Sequence, residues 1–307
     1  MKFKSVKWIG SGLIVAVCIT ILFLYFDASQ LKTSLFDLLF HPYYVIILFF
    51  CYFLSFLLKA EAWRILYEKR VKLRSCMLGL FYSLFINHIS PIKAGDLVRA
   101  IVLEKEEKIP FDLSLHSVIL LRIIDTICLA FIALTGILIL GLQFQVPIGI
   151  ILVFGLIGGA VLFYVSKQFP SFFKKHIDFL KKITVAHLVT IISLTLLSWV
   201  LEAAVIWSVI KATGEHIDWF TAIWVNSVTI ISQVFQIAPG GLATYEATMS
   251  IALSSIGFEL KLGLHLALVS HFMKFIFSYI TGIYALVVHP IDWDWIKNRI
   301  KRGGNSL

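Results

Sequence analysis

The residues of this chain that could do chemistry gather in four short stretches. The first is NHISPIKAGDLVRA, residues 87 to 100, with Asn87, Pro91, Lys93, Gly95, Asp96 and Arg99. Arg122 and Asp125 follow at helical i, i+3 spacing. QVFQIAPGGLATYEATMS carries Pro239, Gly240, Gly241 and Glu246, and a second i, i+3 pair is His271 with Lys274. Proline removes a backbone donor and glycine permits close or left-handed backbone, so Pro91 with Gly95, and Pro239 with Gly240 and Gly241, are expected to end one half-helix and start another. A helix N-terminus facing a low-dielectric space attracts anions. Lys93, Arg99 and Arg122 would add positive charge there, which suits phosphate better than a neutral sugar or a cation. Asp96 is a plausible cap. Asp125 and Glu246 would balance that charge or bind a cationic amine, with His271 and Lys274 as partners for Glu246.

Plainer readings stand beside these. Lys93 and Arg99 lie near an interface and can snorkel to it. Arg122 with Asp125 can be an ion pair that holds spans together. Asn87 and Gln236 can bond interrupted backbone, Glu61 can pair with Arg64 at a span end, and His88 and His187 read as ordinary polar residues. Glu202 lies late in its span, as Glu61 does.

The surroundings of these residues are apolar. Of 307 residues, 59% are hydrophobic, 14% aromatic and only 15% charged, which makes an all-α polytopic membrane protein. Stretches of about 20 apolar residues, enough to cross roughly 30 Å of hydrocarbon, fall near 8 to 26, 43 to 62, 114 to 140, 147 to 166, 186 to 210 and 261 to 288. Two shorter stretches, 75 to 90 and 219 to 237, stop at the prolines. Backbone that leaves a helix inside a bilayer must be buried in protein or line a wet cavity. The net charge of +9 comes in clusters beside the spans, where anionic headgroups rather than nucleic acid are the nearer partner.

Lysine and arginine mark the cytoplasmic side. Lys2, Lys4 and Lys7 place the N-terminus there. So do Lys59, Arg64, Lys69, Arg70, Lys72 and Arg74, read as a loop after the second span, together with Lys105 and Lys108. Lys167, Lys174, Lys175, Lys181 and Lys182 mark another inside loop, and Lys297, Arg299, Lys301 and Arg302 the C-terminal tail, 291 to 307. The expected architecture has about six full transmembrane helices plus two opposed re-entrant hairpins in an inverted repeat. One membrane domain covers 1 to 307, with halves near 1 to 142 and 143 to 290. In each half a short amphipathic stretch, QLKTSLFDLLF or FPSFFKKHIDFLKK, reads as interfacial. Cys18, Cys51, Cys76 and Cys128 stand alone, without CxxC spacing.

The patterns N-x-x-x-P-x-K-A-G-D-x-x-R at 87 to 99, R-x-x-D at 122 to 125 and P-G-G-L-A-x-x-E at 239 to 246 resemble the lysylphosphatidylglycerol synthase transmembrane family, also called flippase-like domain proteins. The resemblance covers nearly the whole chain. It implies two opposed re-entrant hairpins and a lipid-translocating membrane region; in relatives this region is fused to a soluble transferase that lysinylates phosphatidylglycerol. After the last span this chain reads IKNRIKRGGNSL, so the translocating part is expected without the aminoacyltransferase. Ala243 stands where the family pattern has glycine.

No Ser-His-Asp order, HExxH motif, clustered metal ligands or P-loop occurs in the sequence, so no catalytic residue, metal or cofactor is expected. The leading expectation is a flippase-like transporter in the plasma membrane, for a phospholipid, aminoacylated phosphatidylglycerol or polyprenyl-phosphate-linked lipid. Its partners would be lipids with anionic or zwitterionic headgroups, a lipid-modifying transferase or a second copy of the chain. The alternatives are an intramembrane lipid-modifying enzyme using Asp96, Glu246 or a histidine in acid–base work, and an accessory subunit of a lysyltransferase or cell-envelope glycosyltransferase system.

Overall fold

A computed structural model describes residues 27–90, 94–142, 164, 167–168, 170–181, 183–233 and 238–290. The expected spans at 8 to 26 and, almost wholly, at 147 to 166 lie outside these residues. So do Pro91, Lys93, Gln236 and the tail 291 to 307. The described residues form helices and turns, with no strand among them. In chain order these are α1 (Ala28–Phe40), α2 (Pro42–Leu66), α3 (Leu73–Ile89), α4 (Gly95–Glu107), α5 (Phe111–Ile139), α6 (Pro170–Leu180), α7 (Val185–Glu202), α8 (Ala204–Ala212), α9 (Trp219–Ser232), a 3₁₀ turn (Pro239–Gly241), α10 (Thr244–Ser255) and α11 (Leu260–Val288).

Among the described residues, four segments are long and apolar enough to cross a bilayer: Pro42–Leu66, Phe111–Ile139, Val185–Ala212 and Leu260–Val288. They match four of the six expected spans. The third consists of α7 and α8, which meet at Ala203; its φ of −61° and ψ of −20° keep the chain helical past Glu202. α3 and α4 have 17 and 13 residues. α9 and α10 have 14 and 12. At 1.5 Å per residue none of these four reaches 30 Å.

The packing is reciprocal. α2 lies along α7 at the centre, α3 packs on α11 from the other half, and α9 packs on α5. The last two of these crossings are each closed by an aromatic ring seated on a glycine. A methyl on Gly136 of α5 would overlap the Trp224 indole of α9, and one on Gly282 of α11 would overlap the Phe85 ring of α3. Small residues at such crossings let backbones approach, which is how helices associate where lipid supplies little hydrophobic drive. Trp224 also donates its indole N–H to the Ala133 carbonyl at 3.2 Å. α9 is thereby tied to α5 by a ring contact and a hydrogen bond.

Asp27 anchors α1. Its carboxylate accepts from the Ser29 and Gln30 backbone N–H groups at 3.0 and 3.3 Å and from Lys261 Nζ of α11 at 2.9 Å. The Ser29 hydroxyl, then Lys261, hold this carboxyl well below the usual carboxylate range. The amphipathic α6 lies against α5, where Lys175 pairs with Asp112 at 3.0 Å and His176 Nδ1 meets His116 Nδ1 at 3.2 Å.

Candidate functional site

The two breaks are built differently. At the first, the Gly95 backbone N–H donates to Asn87 Oδ1 at 2.9 Å, so the last turn of α3 caps the first turn of α4. A side chain on Gly95 would overlap the Ser83 carbonyl oxygen and the Asn87 amide, which leaves glycine as the residue that fits. At the second, Gly240 and Gly241 take φ of 65° and 79°, and Ala243 follows at 69°. Each break starts a half-helix whose first turn carries an acid, Asp96 in α4 and Glu246 in α10, where the helix dipole favours negative charge.

Those two acids bind the next long helix in parallel fashion. Asp96 takes a bidentate contact from Arg122 of α5 at 2.8 to 3.0 Å. Glu246 Oε1 meets His271 Nδ1 of α11 at 2.7 Å. The partners three residues on, Asp125 and Lys274, face the same interior space. Asp125 lies 4.0 Å from Arg122. Lys274 donates to Glu202 Oε1 at 2.9 Å and to Asn226 Oδ1 at 3.3 Å.

This space is a cavity of about 420 Å³ walled by α2, both broken pairs, α5, α7 and α11. Lys59 of α2 also lines it and donates to Glu202 Oε2 at 2.9 Å. One carboxylate therefore bridges two ammonium groups from different spans. Lys59 also lies 3.5 Å from the centroid of the Trp199 ring. Arg99 of α4 is 3% exposed, sits 4.1 Å over the Trp63 ring, and has no hydrogen-bond partner at Nε among the described residues. Charges buried this far from water are stable only when paired or when something else solvates them. By formal charge the wall carries four cations (Lys59, Arg99, Arg122, Lys274) and three carboxylates (Asp96, Asp125, Glu202). One positive charge is in excess, which suits a monoanion.

Asp96, Arg122 and Thr126 belong to a second space as well. On the outer side of α5 they end an apolar groove of about 450 Å³ floored by Leu115, Val118, Ile119, Ile123 and Ile127. Ile123 and Ile127 are exposed on the outer surface. A polar cavity and an apolar groove thus share one wall.

A family model described as the lysylphosphatidylglycerol synthase TM region matches residues 8–282. The chain belongs to this family. A UPF0104 membrane protein of Methanocaldococcus jannaschii is 21% identical over 297 residues, covering 84% of this chain and 88% of the relative. No solved structure matches the chain.

Within this family member, the structure brings Asn87, Asp96, Arg99, Arg122, Asp125, His271 and Lys274 to one cavity wall, with Glu246 behind His271. One expectation needs correction. Lys59 is not a loop residue: α2 runs on to Leu66 and carries it into the cavity. Arg122 has the expected Asp125 at 4.0 Å and adds a bidentate contact to Asp96, because α4 packs against α5. Asn87 bonds the interrupted backbone, its plainer reading: its carbonyl oxygen accepts from the Gly95 amide. Glu61 pairs with Arg64 at 2.8 Å at the end of α2, while Glu202 joins the lysines. Tyr52, Trp199, Tyr245 and His88 also line the cavity. Aromatic residues are so common in the spans that no spacing sets these apart.

Proposed function

We propose that this chain moves a phosphate-bearing lipid between leaflets, the headgroup passing through the cation-rich cavity while a tail stays in the groove along α5. The observation that carries this reading is the shared wall of Asp96, Arg122 and Thr126 between polar cavity and apolar groove. An amphiphile has that shape, with anion and hydrocarbon a few ångströms apart. Arg99 offers the unpaired buried donor that a phosphate oxygen would satisfy, and such a charge-assisted bond is shorter and stronger than a neutral one.

In this proposal the broken pairs are re-entrant hairpins dipping from opposite faces, the halves 1 to 142 and 143 to 290 form an inverted repeat, and both termini face the cytoplasm. The exchange of α3 and α9 between halves supports it, and discontinuous helices meeting at a repeat interface are where secondary transporters hold substrate. The lipid is a phospholipid, an aminoacylated phosphatidylglycerol or a polyprenyl-phosphate lipid, and the membrane is the plasma membrane. A separate lipid-modifying transferase would supply or use the lipid. The test is headgroup accessibility in proteoliposomes holding labelled phosphatidylglycerol or polyprenyl phosphate. Wild type is expected to exchange leaflets, and Arg99→Ala to slow exchange by about 10- to 100-fold, the loss of one charge-assisted hydrogen bond. No movement of either lipid by wild type refutes the proposal. Altered lipid species in cell extracts would point to an enzyme instead.

A further inference from the structure

His271 is held at both ring nitrogens. Nε2 lies 3.1 Å from the Gly240 carbonyl oxygen, and a carbonyl can only accept, so Nε2 carries a hydrogen. Nδ1 lies 2.7 Å from Glu246 Oε1. With Nε2 protonated, that contact requires a second hydrogen between Nδ1 and the carboxyl group, whether it sits on the imidazole or on the acid. The pair therefore holds one exchangeable proton and is neutral as a unit. Both side chains are deeply buried, at 4% and 2% exposure. Glu246 Oε2 has no partner among the described residues.

The proton sits at a mechanical joint. Gly240 belongs to the second break, Glu246 to the first turn of α10 and His271 to α11. Without the proton two acceptors would face each other at 2.7 Å, and the contact holding break and half-helix to α11 would become repulsive. The groups around the pair are Tyr245 of α10, stacked on the His271 ring at 4.1 Å, His88 of α3 at 6.3 Å, Lys274 one turn along α11, and across the cavity Glu202 of α7, Lys59 of α2 and the Asp96–Arg122 pair with Arg99.

We propose that His271 and Glu246 form a proton-binding site, that proton and lipid phosphate occupy the same state of the protein, and that they cross together. The inference rests on the lipid-transport reading above and adds its coupling. The wall carries one excess positive charge while the pair keeps its proton. Proton loss cancels that excess, so a monoanionic phosphodiester is attracted to the protonated state and not to the other. A monoanion with a proton carries no net charge. Transport is therefore driven by a pH difference and is indifferent to membrane potential.

The experiment uses the full chain in phosphatidylglycerol vesicles with NBD-labelled phosphatidylglycerol and dithionite quenching. With potential clamped to zero by valinomycin and equal potassium, an alkaline lumen is expected to enrich label in the inner leaflet, up to about tenfold per pH unit for one proton per lipid. A potassium-diffusion potential at equal pH is expected to leave the distribution unchanged. Glu61→Gln, outside the site, keeps the pH response, and Glu246→Gln loses it. A response of wild type to potential but not to pH, or a pH response retained in Glu246→Gln, overturns the coupling. Independently of lipid movement, ¹⁵N NMR of histidine-labelled protein reads the proton. A His271 ring with a hydrogen at Nε2 and a shared hydrogen at Nδ1 is expected in wild type, and the neutral Nε2–H form in Glu246→Gln. A bare Nδ1 in wild type removes the proton site. If wild type moves no lipid, the transport reading and its coupling fail together, while the NMR result still decides whether the pair binds a proton.

Discussion

Glu202 is the residue whose loss the structure makes most costly. Its two carboxylate oxygens each accept from one ammonium at 2.9 Å, Lys59 on one side and Lys274 on the other, and its side chain is only 5% exposed. At an effective dielectric of about 20, each contact represents about 6 kcal/mol of attraction before desolvation is subtracted. Glu202→Gln keeps the shape and an acceptor oxygen but removes the charge, stranding two buried cations. Breaking one buried pair typically costs about 3–5 kcal/mol, a large share of the roughly 5–15 kcal/mol that keeps a domain folded. The expected result is a fall in the apparent melting temperature of purified protein on the order of 10 °C, followed by fluorescence-detected size exclusion after heating. The double variant Lys59→Met/Glu202→Gln should melt above Glu202→Gln alone, since one stranded ammonium is gone and Asn226 still serves Lys274. If Glu202→Gln melts within about 2 °C of wild type, or the double variant loses the sum of the single effects, the carboxylate is not the keystone described here.

Three further outcomes can be checked directly. Gly95→Ala should sharply reduce the yield of folded protein in membranes, because the added methyl meets the Ser83 carbonyl and the Asn87 amide that close the first break. Ala243→Gly should raise the melting temperature, reading as about 1 kcal/mol, since Ala243 takes a φ of 69° that only glycine adopts without strain; an unchanged or lower value argues against that backbone. The α1 anchor should depend on acid. Asp27 titrates below the usual carboxylate range of about 4, so its stabilisation is fully present above that range and is lost as pH falls through its lowered value. Hydrogen exchange in α1 should accordingly rise at low pH in wild type, and already be raised at neutral pH in Asp27→Asn.

What was legible in the sequence follows from how locally each feature is determined. Apolar length fixes a span whatever surrounds it, so Pro42–Leu66, Phe111–Ile139, Val185–Ala212 and Leu260–Val288 fall within a few residues of their expected bounds. Pro239 and the glycines around it mark the second break because φ restrictions are local. Partners are different. Lys59 followed by AEAWR reads as the start of a basic loop, and only the packing of α2 on α7 turns it toward Glu202. Asp125 lies at helical spacing from Arg122, yet Asp96, 26 residues away in sequence, is closer because α4 folds back on α5. The i, i+3 pairs were visible as pairs. His271 was also readable as a partner for Glu246; that Arg122 reaches Asp96 needed the tertiary fold.

The parallel between the halves also shows where they differ. Asp96 with Arg122 and Glu246 with His271 occupy matching places, each tying a half-helix to the long helix that follows it. A guanidinium stays charged at any pH the cell meets, so the first tie is permanent and its bidentate geometry fixes α4 against α5. The second tie is made through one proton shared between His271 and Glu246, so it can be undone by proton loss without changing any residue. The first break is closed by a side-chain amide on a single glycine, the second by backbone at positive φ. Under the proposed transport, the arginine tie would belong to the part that holds phosphate and the histidine tie to the part that responds to protons, so one difference of partner type, arginine against histidine, would divide the two requirements of a coupled carrier between the two broken pairs.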